Sequence, residues 1–402
     1  MESRSFQITW PFRLFNRWLD RIGASRWSSL QLDADRLLEV SQEKTGLSDF
    51  GEGHFREGLE VFVDSLIRDA DLTPIGRAGL RGMILTLLCN RLHIAEARRR
   101  EARRFEAAIR PPVVITGMPR SGTTFLHRLL SEDATFRTLP MWRLFKPVSR
   151  ESEDSIRREV GRAHRLRRLM TPQLDRKHFL RADSPEECIW LLNNTFLSHG
   201  LWVAAPVYGY LEWLGAQDRS VPYREYASLL RYLQSGHPDR TLLLKAPSHA
   251  GALAALDEVL PSPAVIQLHR DPVEVCSSVC SLFATLHGAV TRRLDLARLG
   301  RTTVNLLRQE ALRNLEARRR LSRPPLDIRY PDLIRDPAGT VRRIYGHFDW
   351  PWDDVLEERL RRHLELNPQG KHGAHRHNLE DFGISREEVA HTFAPYRRMM
   401  RF

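Results

Sequence analysis

Three short segments gather groups suited to holding an anion. The first is Thr116-Gly-Met-Pro-Arg-Ser-Gly-Thr-Thr-Phe125. Gly117 and Gly122 have four residues between them, the glycine spacing of a phosphate-binding loop. Backbone N–H groups of such a loop turn inward, and the helix that follows adds the positive end of its dipole. Ser121, Thr123 and Thr124 contribute hydroxyls, and Arg120 a permanent positive charge. A nucleoside-triphosphate loop carries lysine directly after the second glycine, where this chain has Thr123. The loop therefore reads as a cradle for a tetrahedral anion. A kinase or ATPase, whose lysine must reach the outer phosphates, is disfavoured.

The second segment is Leu244-Lys-Ala-Pro-Ser-His249, and the third is Leu268-His-Arg-Asp-Pro272 with Ser277 and Ser278 beyond it. The basic residues are 57 arginines and only five lysines, at 44, 146, 177, 245 and 371. A lysine where the chain habitually uses arginine marks a place for a compact, mobile point charge. Pro272 suits the first turn of a helix. Ser278, eight residues after Arg270, would lie about two turns along that helix.

Each segment needs a strand to aim it. Pro111 to Gly117 is a β-branched apolar run ending in glycine, which predicts a buried parallel strand. Leu242–Leu244, Ala264–Leu268 and Asp327–Tyr330 predict three more. Helices are predicted at Thr124–Leu130, Glu186–Leu197, Arg224–Gln234 and Ala250–Leu260. Alternation of this kind predicts an α/β fold with a parallel sheet flanked by helices, and ligands at the carboxyl ends of its strands. Residues 31–110 read as a helical extension. Leu59, Phe62, Val63, Leu66 and Ile67 follow a 3.6 period, as do Leu80, Ile84, Leu87, Leu88 and Leu92, with Asp71-Leu-Thr-Pro74 between them. The arginines of Glu96–Arg110 are expected on a solvated helix face. The boundary is placed at residue 111: an aromatic, basic arm with a helical extension in 1–110, and the α/β domain that carries the anion-binding loop in 111–402.

The chain has 402 residues, 42% hydrophobic and 28% charged. That supports a globular core and excludes a disordered or collagen-like chain. Four cysteines are too few for a disulfide framework, and Cys276 and Cys280 are expected on one packed helix face. The net charge of +12 calls for an anionic partner without choosing it. No run reaches 18 apolar residues, so no membrane-spanning helix is expected. Residues 6–27 interleave Phe6, Ile8, Trp10, Phe12, Leu14, Phe15, Trp18, Leu19, Ile22 and Trp27 with Arg13, Arg17, Arg21 and Arg26. Two readings stand open: contact with a bilayer interface, or an arm packed on the protein itself or on a second subunit.

Taken in order, the three segments resemble the sulfotransferases that use 3′-phosphoadenosine 5′-phosphosulfate (PAPS), in their bacterial branch. Pro-Arg-Ser-Gly-Thr-Thr is similar to that family's 5′-phosphosulfate loop, and Arg270 with Ser278 to its 3′-phosphate pair. Asp327-Ile-Arg-Tyr-Pro-Asp-Leu333 resembles the segment near the adenine, and Gly370-Lys-His-Gly373 with Leu379-Glu-Asp-Phe-Gly383 the loop that closes over the nucleotide. Thr45-Gly-Leu-Ser-Asp-Phe50 and Asp183-Ser-Pro-Glu-Glu187 extend the likeness upstream.

The resemblance implies transfer of a sulfuryl group from PAPS to a hydroxyl or amine, without a metal. It implies that Gly117, Arg120, Ser121, Gly122, Thr123, Thr124, Arg270, Ser278, Tyr330, Lys371 and His372 hold the donor. Arg120 and Lys245 would meet the charge that develops on the leaving oxygen. For the base that takes the acceptor's proton, His249 stands first, Glu187 second and Glu186 third, with His127 as a further candidate. Relatives often carry Trp-Glu where this chain has Trp142-Arg143, which weakens a base there. His372, His375 and His377 invite a metal reading, which the likeness to a nucleotide lid outweighs. The acceptor is expected to be a small molecule or lipid-like, on the strength of aromatics in residues 140–225, including Trp142, Phe145, Phe179, Trp190 and Trp213. A cytoplasmic protein is expected, with peripheral contact to the inner membrane face and homo-oligomerisation as open extensions, and no nucleic-acid partner. The competing readings are another P-loop protein of the kinase kind, and a basic membrane-associated binding protein without catalysis.

Overall fold

The structure, a computed structural model, describes residues 6, 8–177, 181–367 and 378–402. Its centre is a five-stranded sheet: β1 (Val113–Gly117), β2 (Phe136–Arg137), β3 (Thr241–Lys245), β4 (Ala264–His269) and β5 (Leu326–Arg329). The spatial order is β2-β3-β1-β4-β5, and every neighbouring pair is parallel. Val114 lies opposite Leu244 on one side and Val265 on the other. Both faces of β1 and β4 are buried, which is why these strands read as unbroken apolar runs. After β1 the chain crosses to the edge for β2, fills in β3 between β2 and β1, then lays β4 on the other side of β1. The carboxyl ends of β1, β3 and β4 thus meet where the strand order reverses, the place where open α/β sheets bind ligands.

The four predicted strands are present. β2 has no counterpart among them, because two residues at a sheet edge carry no period. The helices before the sheet are α1 (Trp10–Arg21), α2 (Ala34–Thr45), α3 (Phe55–Asp69), α4 (Pro74–Arg100) and α5 (Ala102–Glu106). Beyond β1 come α6 (Thr123–Leu130), α7 (Met141–Phe145) and α8 (Glu153–Met170). Thr73 caps α4 by accepting a hydrogen bond from Gly76 N, and Pro74 occupies its first turn. The 3.6-period residues of α3 and α4 are buried, except Ile67, which is exposed. The arginines at the α4–α5 junction lie on a solvated face: Arg99 pairs with Glu96 and Arg104 with Glu101.

Two helices are shorter than predicted. Glu186–Leu197 contributes only Ile189–Asn193, and Phe196 then turns into the left-handed region at φ 57°. Glu186 and Glu187 therefore lie in the loop before a helix, not at its start. Ala250–Leu260 divides into a 3-10 turn, Pro247–Ala252, and the helix Leu253–Val259. The helices before the sheet share a core with the rest of the chain: Phe62, Leu66 and Leu88 belong to one buried cluster with Trp202, Tyr210, Val279 and Phe382. Cys276 and Cys280 are buried free thiols in that cluster, on the helix Pro272–Gly288.

Candidate functional site

β1 delivers the chain into a tight loop. Gly117 has φ 139°, and a Cβ there would lie 2.2 Å from the carbonyl oxygen of Leu268 on β4, so no side chain fits. Gly122 has φ 94°, and its missing Cβ leaves room for the Tyr330 ring. Arg120 between them takes φ 66°, a left-handed conformation unusual for a residue with a side chain. Ser121 is buried, and its hydroxyl donates to Met118 O at 2.6 Å, so it shapes the loop from within. The first backbone bond of α6 runs from Leu126 N to Gly122 O. The amides of Thr123, Thr124 and Phe125 thus have no acceptor within their helix, and they stand at the positive end of its dipole.

Next to the loop, β3 ends in Lys245. Its side chain is buried, and its Nζ donates to Glu187 Oε1 at 3.0 Å and to Thr124 Oγ1 at 3.3 Å, with Glu186 Oε1 at 3.7 Å. Burial works against the ammonium ion, but Glu187 and Glu186 outweigh it, and the pKa of Lys245 is raised. Glu187 donates its backbone N–H to Glu186 Oε1 at 2.9 Å. The two carboxylates differ in access: the side chain of Glu187 is 24% exposed and that of Glu186 4%.

On the other side of the loop, β4 ends in His269 and Arg270. Asp271 caps the next helix through Val273 N, and Pro272 takes its first turn. Arg270 donates to Arg120 O at 3.1 Å and to Glu274 Oε2 at 2.9 Å, and its guanidinium lies 4.4 Å from the Tyr330 ring centre. Arg120 donates from Nε to Ser278 Oγ at 3.2 Å. Burial, then the nearby charge of Arg270, lowers the pKa of Arg120. Arg120, Arg270, Ser278 and Tyr330 thus form one group, linked by Arg120 rather than by a direct bond between Arg270 and Ser278. Two arginines, a lysine, hydroxyls and unspent amides face one strand-end crevice, a donor set suited to a ligand with several anionic groups.

Other candidates fall elsewhere. His249 is fully buried, with Nδ1 2.7 Å from Tyr223 Oη and Nε2 3.1 Å from Cys188 Sγ. Burial pulls its pKa down to about 3. This first-choice base of the sequence thus stands within the 3-10 turn Pro247–Ala252 with both ring nitrogens engaged. His127 packs its Nε2 3.3 Å from Leu243 O, and burial followed by the Lys245 charge lowers its pKa to about 3. Trp142 is buried; Arg143 lies over its ring at 4.5 Å and pairs with Glu153. Lys371, His372, His375 and His377 lie outside the described residues.

The strand-end sequence hid a second set of contacts. His269 is buried between Tyr396 Oη and Asp327 Oδ1, each 2.7 Å from a ring nitrogen. Arg318 grips the same Asp327 at 2.6 Å, and Arg397 reaches Asp271 at 3.2 Å. These bonds tie the carboxy-terminal helix Ala394–Met400 to the turn that aims Arg270. His269 and Asp327 stand inside the motifs already singled out; Tyr396 carries no local signal.

Residues 111–354 match the sequence profile of the Sulfotransferase family. The chain belongs to this family. Omega-hydroxy-beta-dihydromenaquinone-9 sulfotransferase Stf3 of Mycobacterium bovis is 28% identical over 284 residues, covering 68% of this chain and 72% of its own. The structure of sulfotransferase STF9 from Mycobacterium avium superimposes with a TM-score of 0.82 at 28% identity, over 92% of this chain and 97% of that one. STF1 from Mycobacterium tuberculosis H37Rv gives a TM-score of 0.76 at 29% identity, over 90% and 98%. This protein is therefore a sulfotransferase with an α/β, P-loop-like fold, and the kinase-like alternative gives way. As a sulfotransferase it uses a sulfuryl donor.

Proposed function

We propose that the donor is PAPS, that the acceptor is a hydroxyl on an apolar molecule, and that Glu187 is the base. The observation that carries this reading is the Lys245–Glu187–Thr124 cluster beside the loop, opposite the group formed by Arg270, Ser278 and Arg120. PAPS is the substrate that supplies an activated sulfuryl group. A donor with anionic groups at both ends of a ribose fits a crevice with cations on both sides of a glycine loop, whose Gly117 leaves no room for a Cβ. The loop amides with Thr123 and Thr124 hold the 5′ end. Arg270 and Ser278 read the 3′-phosphate, and Tyr330 borders the base.

The chemistry follows from the charges. The acceptor oxygen bonds to sulfur as its proton moves to the Glu187 carboxylate. The bond from sulfur to the 5′-phosphate oxygen breaks, and that oxygen takes the electron pair. Lys245 stays an ammonium because two carboxylates hold it so, and with Arg120 it meets the charge on the departing oxygen. Glu187 is preferred to Glu186 because its side chain reaches the opening. Glu186, accepting from the Glu187 amide, positions it.

An apolar acceptor is supported by the name of Stf3, which specifies a hydroxylated menaquinone derivative. Calorimetric titration with 3′,5′-ADP, 5′-ADP and ATP tests the donor assignment. A preference for the 3′-phosphate that disappears in Arg270→Ala is the expected result. Equal binding of all three would overturn it.

A further inference from the structure

We infer that α1 and the end of α8 form a docking surface for an anionic lipid bilayer. α1 is fixed to the body by its polar side. Asn16 accepts a hydrogen bond from Ile75 N at 3.0 Å, Asp20 pairs with Arg292 at 2.7 Å, and Leu19 is buried. With about 100° per residue, Trp10, Leu14, Trp18, Ile22 and Phe15 then fall on one outward arc of roughly 140°. All five are exposed, Trp10 by 63% and Trp18 by 53%. This inverts the ordinary surface helix, which buries its apolar stripe. Trp27, just beyond the helix, is also exposed, and the Phe15 and Trp18 rings stack at 5.6 Å.

A separate segment brings the same chemistry to the same place. Thr9, which precedes α1, donates its N–H to Met170 O at 2.8 Å and its hydroxyl to Leu169 O at 3.0 Å. That contact joins the start of α1 to the last turn of α8, where Leu166 and Leu169 are exposed by 52% and 66%. Between residues 8 and 27 the one acidic residue is Asp20, already held by Arg292, and between 160 and 170 there is none. Exposed arginines border both apolar strips: Arg17, Arg21 and Arg26 on the α1 side, Arg162, Arg165 and Arg168 on α8. Tryptophan and leucine seated among arginines match the boundary between acyl chains and anionic headgroups. A second copy of this chain would set arginine against arginine, so charge complementarity favours the bilayer.

Flotation of the full chain with vesicles tests this. Vesicles mixed from phosphatidylcholine and phosphatidylglycerol are compared with phosphatidylcholine alone. Wild-type protein is expected to float with the mixed vesicles, to be released by high salt, and to show a blue shift in tryptophan emission. Trp10→Ser with Trp18→Ser, and separately Leu166→Ser with Leu169→Ser, are each expected to lower the partition coefficient by about tenfold or more. Melting temperature and 3′,5′-ADP affinity should stay unchanged, since these side chains touch neither core nor site. Failure to float, or variants that float like wild type, would overturn the inference. So would a wild-type dimer in sedimentation that becomes a monomer in the tryptophan variant. Because the readout is binding, it stands or falls separately from the donor and acceptor assignments.

Discussion

Lys245 and His249 are four residues apart at the end of one strand, both buried, yet the protein treats them in opposite ways. Lys245 meets Glu187, Glu186 and Thr124 and keeps its charge. His249 meets Tyr223 and Cys188, a phenol and a thiol whose own pKa values burial raises, and it stays neutral. The 3-10 turn at Pro247–Ala252 separates the two environments. A strand's carboxyl end is where ligands bind, but the residues just after it serve the site only if the turn leaves them facing it.

The sharpest way to break this contrast is to remove a hydrogen-bonding group on each side. Glu187→Gln keeps the size of the side chain and removes its capacity as a base. We expect kcat to fall by about 10²–10⁴-fold, with 3′,5′-ADP affinity nearly unchanged. His249→Gln should leave kcat within about threefold while costing about 1–3 kcal/mol of stability, because Tyr223 and Cys188 lose a buried partner. Rapid-quench kinetics and denaturant titration of both proteins separate the outcomes. A large kcat loss in His249→Gln with normal stability would return the base assignment to the histidine.

Lys245→Ala is expected to lower kcat by about 10²–10³-fold through loss of charge at the leaving oxygen. It should also destabilise, since Glu186 and Glu187 are left near each other without their cation. The sign of the linkage is definite. Lys245 has a raised pKa in the folded chain, so its stabilising contribution is complete below the ordinary value of 10.5 and is lost as pH rises through the folded value. The pair is therefore intact at neutral pH. A melting curve series carried into alkali should show wild type losing an advantage that Lys245→Ala never had.

How much of this was legible depends on the range of the contacts. β1 and its loop stood out because β-branched residues, a glycine pair and a following helix all lie within one short stretch. Arg270 and Ser278 were legible by spacing, and Lys245 by the scarcity of lysine. The engagement of His249 was not, because Tyr223 and Cys188 come from distant parts of the chain. Likewise, nothing near Tyr396 announces that it will bond His269, 127 residues away. The apolar face of α1 was plain as a pattern. That it faces outward was decided by Asn16 and Asp20 finding partners 59 and 272 residues away.

The neutral pocket of His249 has counterparts, and together they should make the fold sensitive to acid. Burial lowers His127 and His249 to about 3, and His199 and His287 to about 4, from 6.5. Below 6.5 the unfolded chain binds protons at these positions while the folded chain does not. Stability should therefore fall as pH drops through 6.5 and continue falling toward about 4. Each group approaches about 1.4 kcal/mol per pH unit in that window. Melting temperature against pH should decline steeply on the acid side, and His249→Gln should make the decline shallower. An unchanged slope in that variant would show that His249 is protonated in the folded protein.

The smallest effect is expected at Arg143. Arg143 lies over the Trp142 ring and pairs with Glu153 at the start of α8. Its charge also acts on Arg137 and His237. Among the described residues, it bonds to no group of the anion-binding crevice. Arg143→Ala should change kcat by less than about twofold and stability by about 1 kcal/mol or less, the range for a partly exposed ion pair. If kcat instead falls by an order of magnitude at unchanged melting temperature, the acceptor must reach as far as α7, and the division of labour around Lys245 is wider than its hydrogen bonds show.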